Sequence, residues 1–203
     1  MKQSNIRVIA GTAKGARLYC LEGEKIRPAL ARVKKSIFDI IRIYVPEAVT
    51  ADLFAGTGSI GIEALSRGAK SCVFVENDHE CSQVIRKNLD KLRLENASII
   101  SNANAFSFAA LATRNKWAFD LIFINPPYRH LDAPAERESF LKMLEGITAD
   151  NILNPDGLIV VEHGTGQLDD TEFHGLVLSD RRDYDDTQVS FYARKQPAEI
   201  RNT

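Results

Sequence analysis

Two short segments of this 203-residue chain carry residue types that can do chemistry together. Asp52-Leu53-Phe54-Ala55-Gly56-Thr57-Gly58-Ser59-Ile60-Gly61 sets three glycines at GxGxxG spacing behind an apolar run, where a strand would end and a helix begin. Glycines there let the turn close and let a ligand approach the backbone, while the first helical turn presents N–H groups without intrahelical partners. Asn125-Pro126-Pro127-Tyr128 follows a second apolar run, Phe119–Ile124. Its two prolines fix φ and remove two donors. The Asn125 side-chain oxygen and the Pro126 carbonyl can then both accept from one exocyclic NH2, and Tyr128 offers a flat face to a planar ring.

The glycine loop suits an adenosine-bearing cofactor. Glu76 lies 18 residues beyond Gly58, where an acidic side chain can take both ribose hydroxyls. That much fits a nicotinamide enzyme or an S-adenosylmethionine enzyme. Asp52, four residues before Gly56, is expected to enter the pocket near a free amino group, and the loop begins far from the N-terminus. Both details favour S-adenosylmethionine. In these residues the chain resembles class I methyltransferases, whose first motif has this acidic-apolar-aromatic-x-GxG form. The resemblance implies a cofactor set of Asp52, Phe54, Gly56, Gly58, Gly61, Glu76, Asn77, Asn104 and Ala105. Asn104 stands where that family usually holds the adenine edge with an aspartate; an amide still offers an acceptor and donors, without charge assistance. Asn125, Pro126, Pro127 and Tyr128 form the matching substrate clamp, a motif of methyltransferases acting on adenine N6, guanine N2 or the glutamine side chain.

The elements that must position these segments follow from periodicity. Strand candidates at 49–54, 71–76, 97–101, 119–124 and 157–162 alternate with helix candidates at 59–67, 79–93, 105–113 and 137–150. Such alternation predicts a parallel sheet covered on both faces. Two further strands, 174–181 and 187–194, around an Asp183–Asp186 turn would add antiparallel strands at one edge. The expected fold is α/β: a Rossmann-like class I methyltransferase with a seven-stranded, mostly parallel sheet and helices on both faces. In front lies a small basic hairpin, Ile6–Ala10 and Ala16–Cys20 around Gly11–Gly15. A helix then starts at Arg27-Pro28 and ends by Pro46, with Val33, Ile37, Ile40, Ile41 and Tyr44 on its apolar side and Arg32, Lys34, Lys35 and Arg42 on or near its polar side. The domain limits read as 1–25 for the hairpin extension, 26–195 for the methyltransferase domain and 196–203 for a tail.

Charge separates these regions. The first 35 residues hold nine basic side chains against two acidic ones, although the whole chain has a net charge of −1. A basic arm on an acidic body is what a phosphate-binding surface looks like in sequence; a solvated basic face is the bland alternative. No apolar run approaches the roughly 20 residues of a membrane span. Three cysteines without CxxC spacing read as reduced thiols, no metal-ligand spacing is present, and no secretory signal is visible, so a cytoplasmic protein is expected.

The runs Arg7–Leu18 and Ile26–Ile40, with Ala64-Leu65-Ser66-Arg67-Gly68-Ala69, Val161-Glu162-His163 and Asp186–Tyr192, resemble the bacterial 16S ribosomal RNA guanine-N2 methyltransferases of the RsmD type. The resemblance spans roughly Arg7 to Arg194. It implies methylation of a guanine N2 in 16S rRNA, S-adenosylmethionine as cofactor, and 16S rRNA or an assembling small ribosomal subunit as partner. RNA contacts would come from Arg7, Lys14, Arg17, Arg27, Arg32 and Lys35; a monomer is expected, with no membrane partner. The chain departs from that family at Asn125, where Asp is usual, at Ala29-Leu30-Ala31, where Thr-Thr-Asp is usual, and at Asp185, where Gly is usual. Rival readings are methylation of adenine N6 or of protein glutamine, or an RNA-binding relative that has lost activity. His163 reads as structural, Trp117 and Phe119 as anchors of the fourth strand of the alternating region, and His79, Cys81 and His174 as unrelated to any metal.

Overall fold

The computed structural model describes residues 2–21, 29–127, 129–168, 172–173 and 175–195. A two-stranded antiparallel hairpin, β1 (Lys2–Arg7) and β2 (Arg17–Cys20), comes first, then α1 (Ala29–Ile40). The alternating region follows as β3 (Val49–Leu53), α2 (Ser59–Ser66), β4 (Ser71–Glu76), α3 (His79–Leu92), β5 (Ser98–Asn102), α4 (Phe108–Asn115) and β6 (Phe119–Ile124). It continues through α5 (Arg129–Asp132), α6 (Pro134–Ala149) and β7 (Leu153–Gly164), then β8 (Glu172–Phe173), β9 (Leu176–Tyr184) and β10 (Thr187–Arg194).

The sheet order is β5-β4-β3-β6-β7-β10-β9-β8. Strands β5 to β7 pair in parallel, while β10 pairs antiparallel with both β7 and β9. Seven strands of this mostly parallel sheet match the expectation. The eighth is the two-residue β8 at the edge, too short to leave a periodicity in the sequence. β3 lies between β4 and β6, so the chain reverses direction across the sheet there. In open α/β sheets this switch point leaves a crevice beyond the carboxyl ends of the strands.

Side chains alternate between two buried clusters, as a sheet covered on both faces requires. Phe74, Leu121, Phe123 and Val160 face a cluster completed by the hairpin, α1, α2 and α3. Val73, Val75, Ile122 and Ile124 face the other, completed by α4 and α6. Phe119 joins the second cluster, tilted against Phe108 at 5.5 Å and edge-on to Trp117 at 6.4 Å.

Two helix expectations are corrected. α1 ends at Ile40, before Pro46, and Tyr44 is exposed. Lys34, placed by sequence on or near the polar side, is 1% exposed. Its position lies three, four and seven residues before the buried Ile37, Phe38 and Ile41, hence on the buried stripe; its charge disguised that register. The start of that helix at Arg27-Pro28 lies outside the described residues.

Candidate functional site

The turn from β3 into α2 takes left-handed backbone at Phe54 (φ 58°), Gly56 (φ 54°) and Gly58 (φ 76°). A Cβ added to Gly56 would meet nothing within 4 Å, so the space over the loop is open. Gly61 has the opposite reason for lacking a side chain: a Cβ there would stand 2.4 Å from Phe74 and 2.6 Å from the Cys72 sulfur. It lets α2 lie directly on β4. Phe54 is the costly residue, since a bulky side chain at positive φ stores about 1–3 kcal/mol of strain. Its ring packs edge-on against Phe106 at 5.4 Å.

Asp52 and Glu76 hold this loop from two sides. The Gly61 N–H donates to Asp52 Oδ2 at 2.8 Å, and the Asp52 side chain is buried. One oxygen of the carboxylate thus braces the loop. Burial pushes its pKa up to about 7, only partly offset by the Gly61 hydrogen bond. Glu76 accepts from the Gly56 N–H at 2.8 Å through Oε2 and from the Asp78 N–H at 2.9 Å through Oε1. Next to it Asn77 is exposed. Asn102 and the Ala103 N–H both donate to the Glu76 carbonyl, which brings the end of β5 beside the end of β4. There Asn104 caps a short helical turn by accepting from the Phe106 N–H at 3.0 Å, and Ala105 is buried.

The second segment meets the first at the switch point. Leu53 is in register with Ile124, and the Asn125 N–H donates to the Leu53 carbonyl at 3.3 Å. Asn125 is half-buried, Pro126 buried and Pro127 exposed. Tyr128 lies outside the described residues. Phe54, Gly56, Glu76, Asn104 and Asn125 therefore line up along the carboxyl ends of four neighbouring strands, β5, β4, β3 and β6.

Three functional neighbours escaped the sequence reading. Lys34 Nζ reaches Ser59 Oγ at 3.0 Å, the Arg7 carbonyl at 2.8 Å and Glu63 Oε2 at 3.3 Å. Burial pushes the Lys34 pKa down, and Glu63 pulls it back. Glu63, fully buried, also accepts from the Ile9 and Ala10 N–H groups at 2.8 and 3.0 Å and from Arg67 at 2.8 Å. Asn88, fully buried on α3, pairs with both the N–H and the carbonyl of Tyr19 and donates to the Thr57 carbonyl of the glycine loop at 3.1 Å. The hairpin is thus fastened to α2 and α3 at points 53 to 69 residues away in sequence. One signal was legible: every residue of α2 is buried, so a lone glutamate inside that small and apolar helix demands a buried partner. Asn88 left no comparable trace in an otherwise amphipathic α3.

The sequence profile of the family described as Conserved hypothetical protein 95 matches residues 6–193. The chain belongs to that family. Among its relatives, YlbH of Bacillus subtilis is 35% identical over 191 residues, covering 94% of this chain and 100% of that one. The ribosomal RNA small subunit methyltransferase D of Haemophilus influenzae is 35% identical over 162 residues, covering 79% of each chain. The solved structure of yhhF from Escherichia coli superposes with a TM-score of 0.79 at 27% identity, covering 95% of this chain and 99% of that one. The family is the RsmD-type group of class I methyltransferases that the sequence resembled.

In this family member the basic residues singled out by sequence separate into two groups. Arg32 pairs with Asp185 at 3.2 Å and lies over the Tyr184 ring, and Lys35 pairs with Asp39 at 2.5 Å. Asp185, in the place of the usual glycine, has φ 52°. Arg7, Lys14 and Arg17 are exposed on the hairpin. Its tip turns toward the C-terminal end of α2: a Cβ on Gly11 would stand 1.7 Å from the Ser66 carbonyl oxygen, and the Thr12 N–H donates to that oxygen at 2.8 Å. Arg27 lies outside the described residues. His163 is fully buried, with its ring nitrogens 2.9 Å from Ser190 Oγ and from the Gly164 carbonyl. His174 lies outside the described residues.

Proposed function

We propose that this chain transfers a methyl group from S-adenosylmethionine to the exocyclic N2 of a guanine in 16S ribosomal RNA. The family relative named as a small subunit ribosomal RNA methyltransferase supports the substrate class. The observation that carries the reaction is the Asn125–Leu53 backbone bond, because it sets the amine clamp against the glycine loop at one crevice.

The residues present fit this cofactor. Gly56 leaves open space above a positive-φ backbone, as close approach of a ligand requires. Each Glu76 oxygen spends one lone pair on a backbone N–H and keeps another for a ribose hydroxyl. Asn104 would meet the adenine edge, with Ala105 and the Phe54–Phe106 pair beside it, and Asn77 would border the ribose. Bound there, S-adenosylmethionine supplies an electrophilic methyl on a sulfonium centre.

The chain's own part is positioning. The Asn125 side-chain oxygen and the Pro126 carbonyl accept the two N2 hydrogens, turning the nitrogen lone pair toward the methyl, while Pro127 stiffens the loop and Tyr128 stacks on the base. As the N–C bond forms and the C–S bond breaks, nitrogen gains positive charge, which both acceptor oxygens stabilise. The C–S electron pair would leave with the sulfur as a neutral thioether, and the methylated nitrogen would be acidic enough to give its proton to water without a strong base. An uncharged amide at position 125 is compatible with that demand.

The test is nucleoside mapping of 16S rRNA from cells with and without the gene. An N2-methylguanosine that disappears on deletion and returns when purified protein and S-adenosylmethionine are added supports the reading. Appearance of N6-methyladenosine, or an unchanged modification map, would sink it.

A further inference from the structure

We infer that the RNA-binding surface continues from the hairpin onto α3, where Lys87 and Lys91, gathered over Tyr19, bind phosphate oxygens of the RNA backbone. The inference rests on the ribosomal RNA reading and adds a binding element to it.

Four cations meet on this face. Arg7 and Arg17 stand directly opposite each other in the β1–β2 register, a like-charge cross-strand pair that destabilises a hairpin by itself. On the adjoining helix, Lys87 Nζ lies 4.3 Å and Lys91 Nζ 4.9 Å from the centre of the Tyr19 ring. Lys91 also donates to the Arg17 carbonyl at 2.6 Å, which ties the helix cations to the hairpin cations. Among the described residues none of these four forms an ion pair. The nearby acid of α3, Asp90, lines a separate groove with Arg86 and Glu95.

Some exposed cations elsewhere are neutralised at short range, as with Arg32–Asp185, Lys35–Asp39 and Lys142–Glu138. Here it concentrates them instead. A tyrosine face attracts one ammonium group, but two over one ring repel each other, and that repulsion is relieved when an anion binds between them. The group is also held in place. Asn88, the residue after Lys87, is locked to both Tyr19 and Thr57, so phosphates bound on this strip lie on a frame continuous with the cofactor loop. Oriented ammonium groups without a base-reading partner suit the RNA backbone and carry no sequence preference.

The test compares the intact wild-type protein with Lys87→Gln/Lys91→Gln, titrating in-vitro transcribed 16S rRNA over a range of salt concentrations. Each phosphate contact contributes roughly 0.7–0.9 to the slope of log affinity against log salt, so loss of two lowers it by about 1.4–1.8. S-adenosylmethionine affinity should stay at the wild-type value, and circular dichroism should show a folded protein. Lys87→Gln alone, which removes no protein hydrogen bond, should produce about half the change. Lys116→Gln, at the end of α4 in the other layer, should leave the slope unchanged. An unaltered slope in the double variant, with wild-type protein still binding RNA and methylating it, would overturn the inference and leave the proposed function standing. A loss per charge as large for Lys116→Gln would overturn it as well, since net charge alone would explain the effect. Wild-type protein that binds neither RNA nor S-adenosylmethionine would remove the ribosomal RNA reading and this inference with it.

Discussion

Replacing Asp52 by Asn should make this protein more stable as pH rises, relative to wild type. Asp52 is 2% exposed, and its pKa in the fold is about 7 against an ordinary value of 3.8. Between those two values the folded chain holds a proton that the unfolded chain has released. Wild-type stability therefore falls as pH climbs through this window, and levels off above pH 7. Each pKa unit is worth about 1.4 kcal/mol, so the full penalty is about 4–5 kcal/mol, of which about 2–3 kcal/mol develops between pH 5 and pH 8. Asn carries no titrating group and keeps an oxygen for the Gly61 N–H. The gap in melting temperature, variant minus wild type, should widen by roughly 5–10 °C from pH 5 to pH 8 for a chain of this size. Thermal unfolding followed by circular dichroism at five or six pH values measures it. Taking the gap as a function of pH cancels every contribution of the substitution that does not titrate. A gap that stays constant or narrows would refute the reasoning, because Asp52 would then be held ionised by its surroundings.

Three other substitutions probe the fastening of the hairpin and the clamp. Glu63→Ala leaves buried Lys34 without its counter-ion and the Ile9 and Ala10 N–H groups without their acceptor, and should destabilise the protein by about 3–5 kcal/mol, a melting-temperature drop of roughly 10 °C. A drop of less than about 2 °C would mean the buried pair is not holding the elements together. Asn88→Ala removes three hydrogen bonds, one buried and two partly buried, and should lower stability by about 2–4 kcal/mol in urea unfolding, with faster proteolysis of the hairpin; an unmoved midpoint counts against that placement. Asn125→Ala should reduce methyl transfer by ~10²-fold or more while calorimetry finds cofactor affinity unchanged, since the side chain serves the substrate. Weakened cofactor binding in that variant would reassign the residue.

What the sequence determined alone was local. Alternating strand and helix periods, the GxGxxG turn and the rigid Asn125-Pro126-Pro127 run are each encoded within about ten consecutive residues, where steric and hydrogen-bond preferences act without help from the rest of the chain. β3, α2, β4, α3 and β6 accordingly lie within a residue of their expected limits. Tertiary structure alone decided which side chains face one another across long loops. Lys34 read as a cation on or near the polar side of its helix until Glu63 met it, and nothing in the segment around Asp52 stated that the Gly61 N–H would be its partner. The hairpin read as a basic arm, and only the fold shows that Gly11 and Ser66 set its direction and Asn88 joins it to Thr57. Burial and pairing are properties of the folded surroundings, and a charge type written in sequence does not state which partner removes it from water.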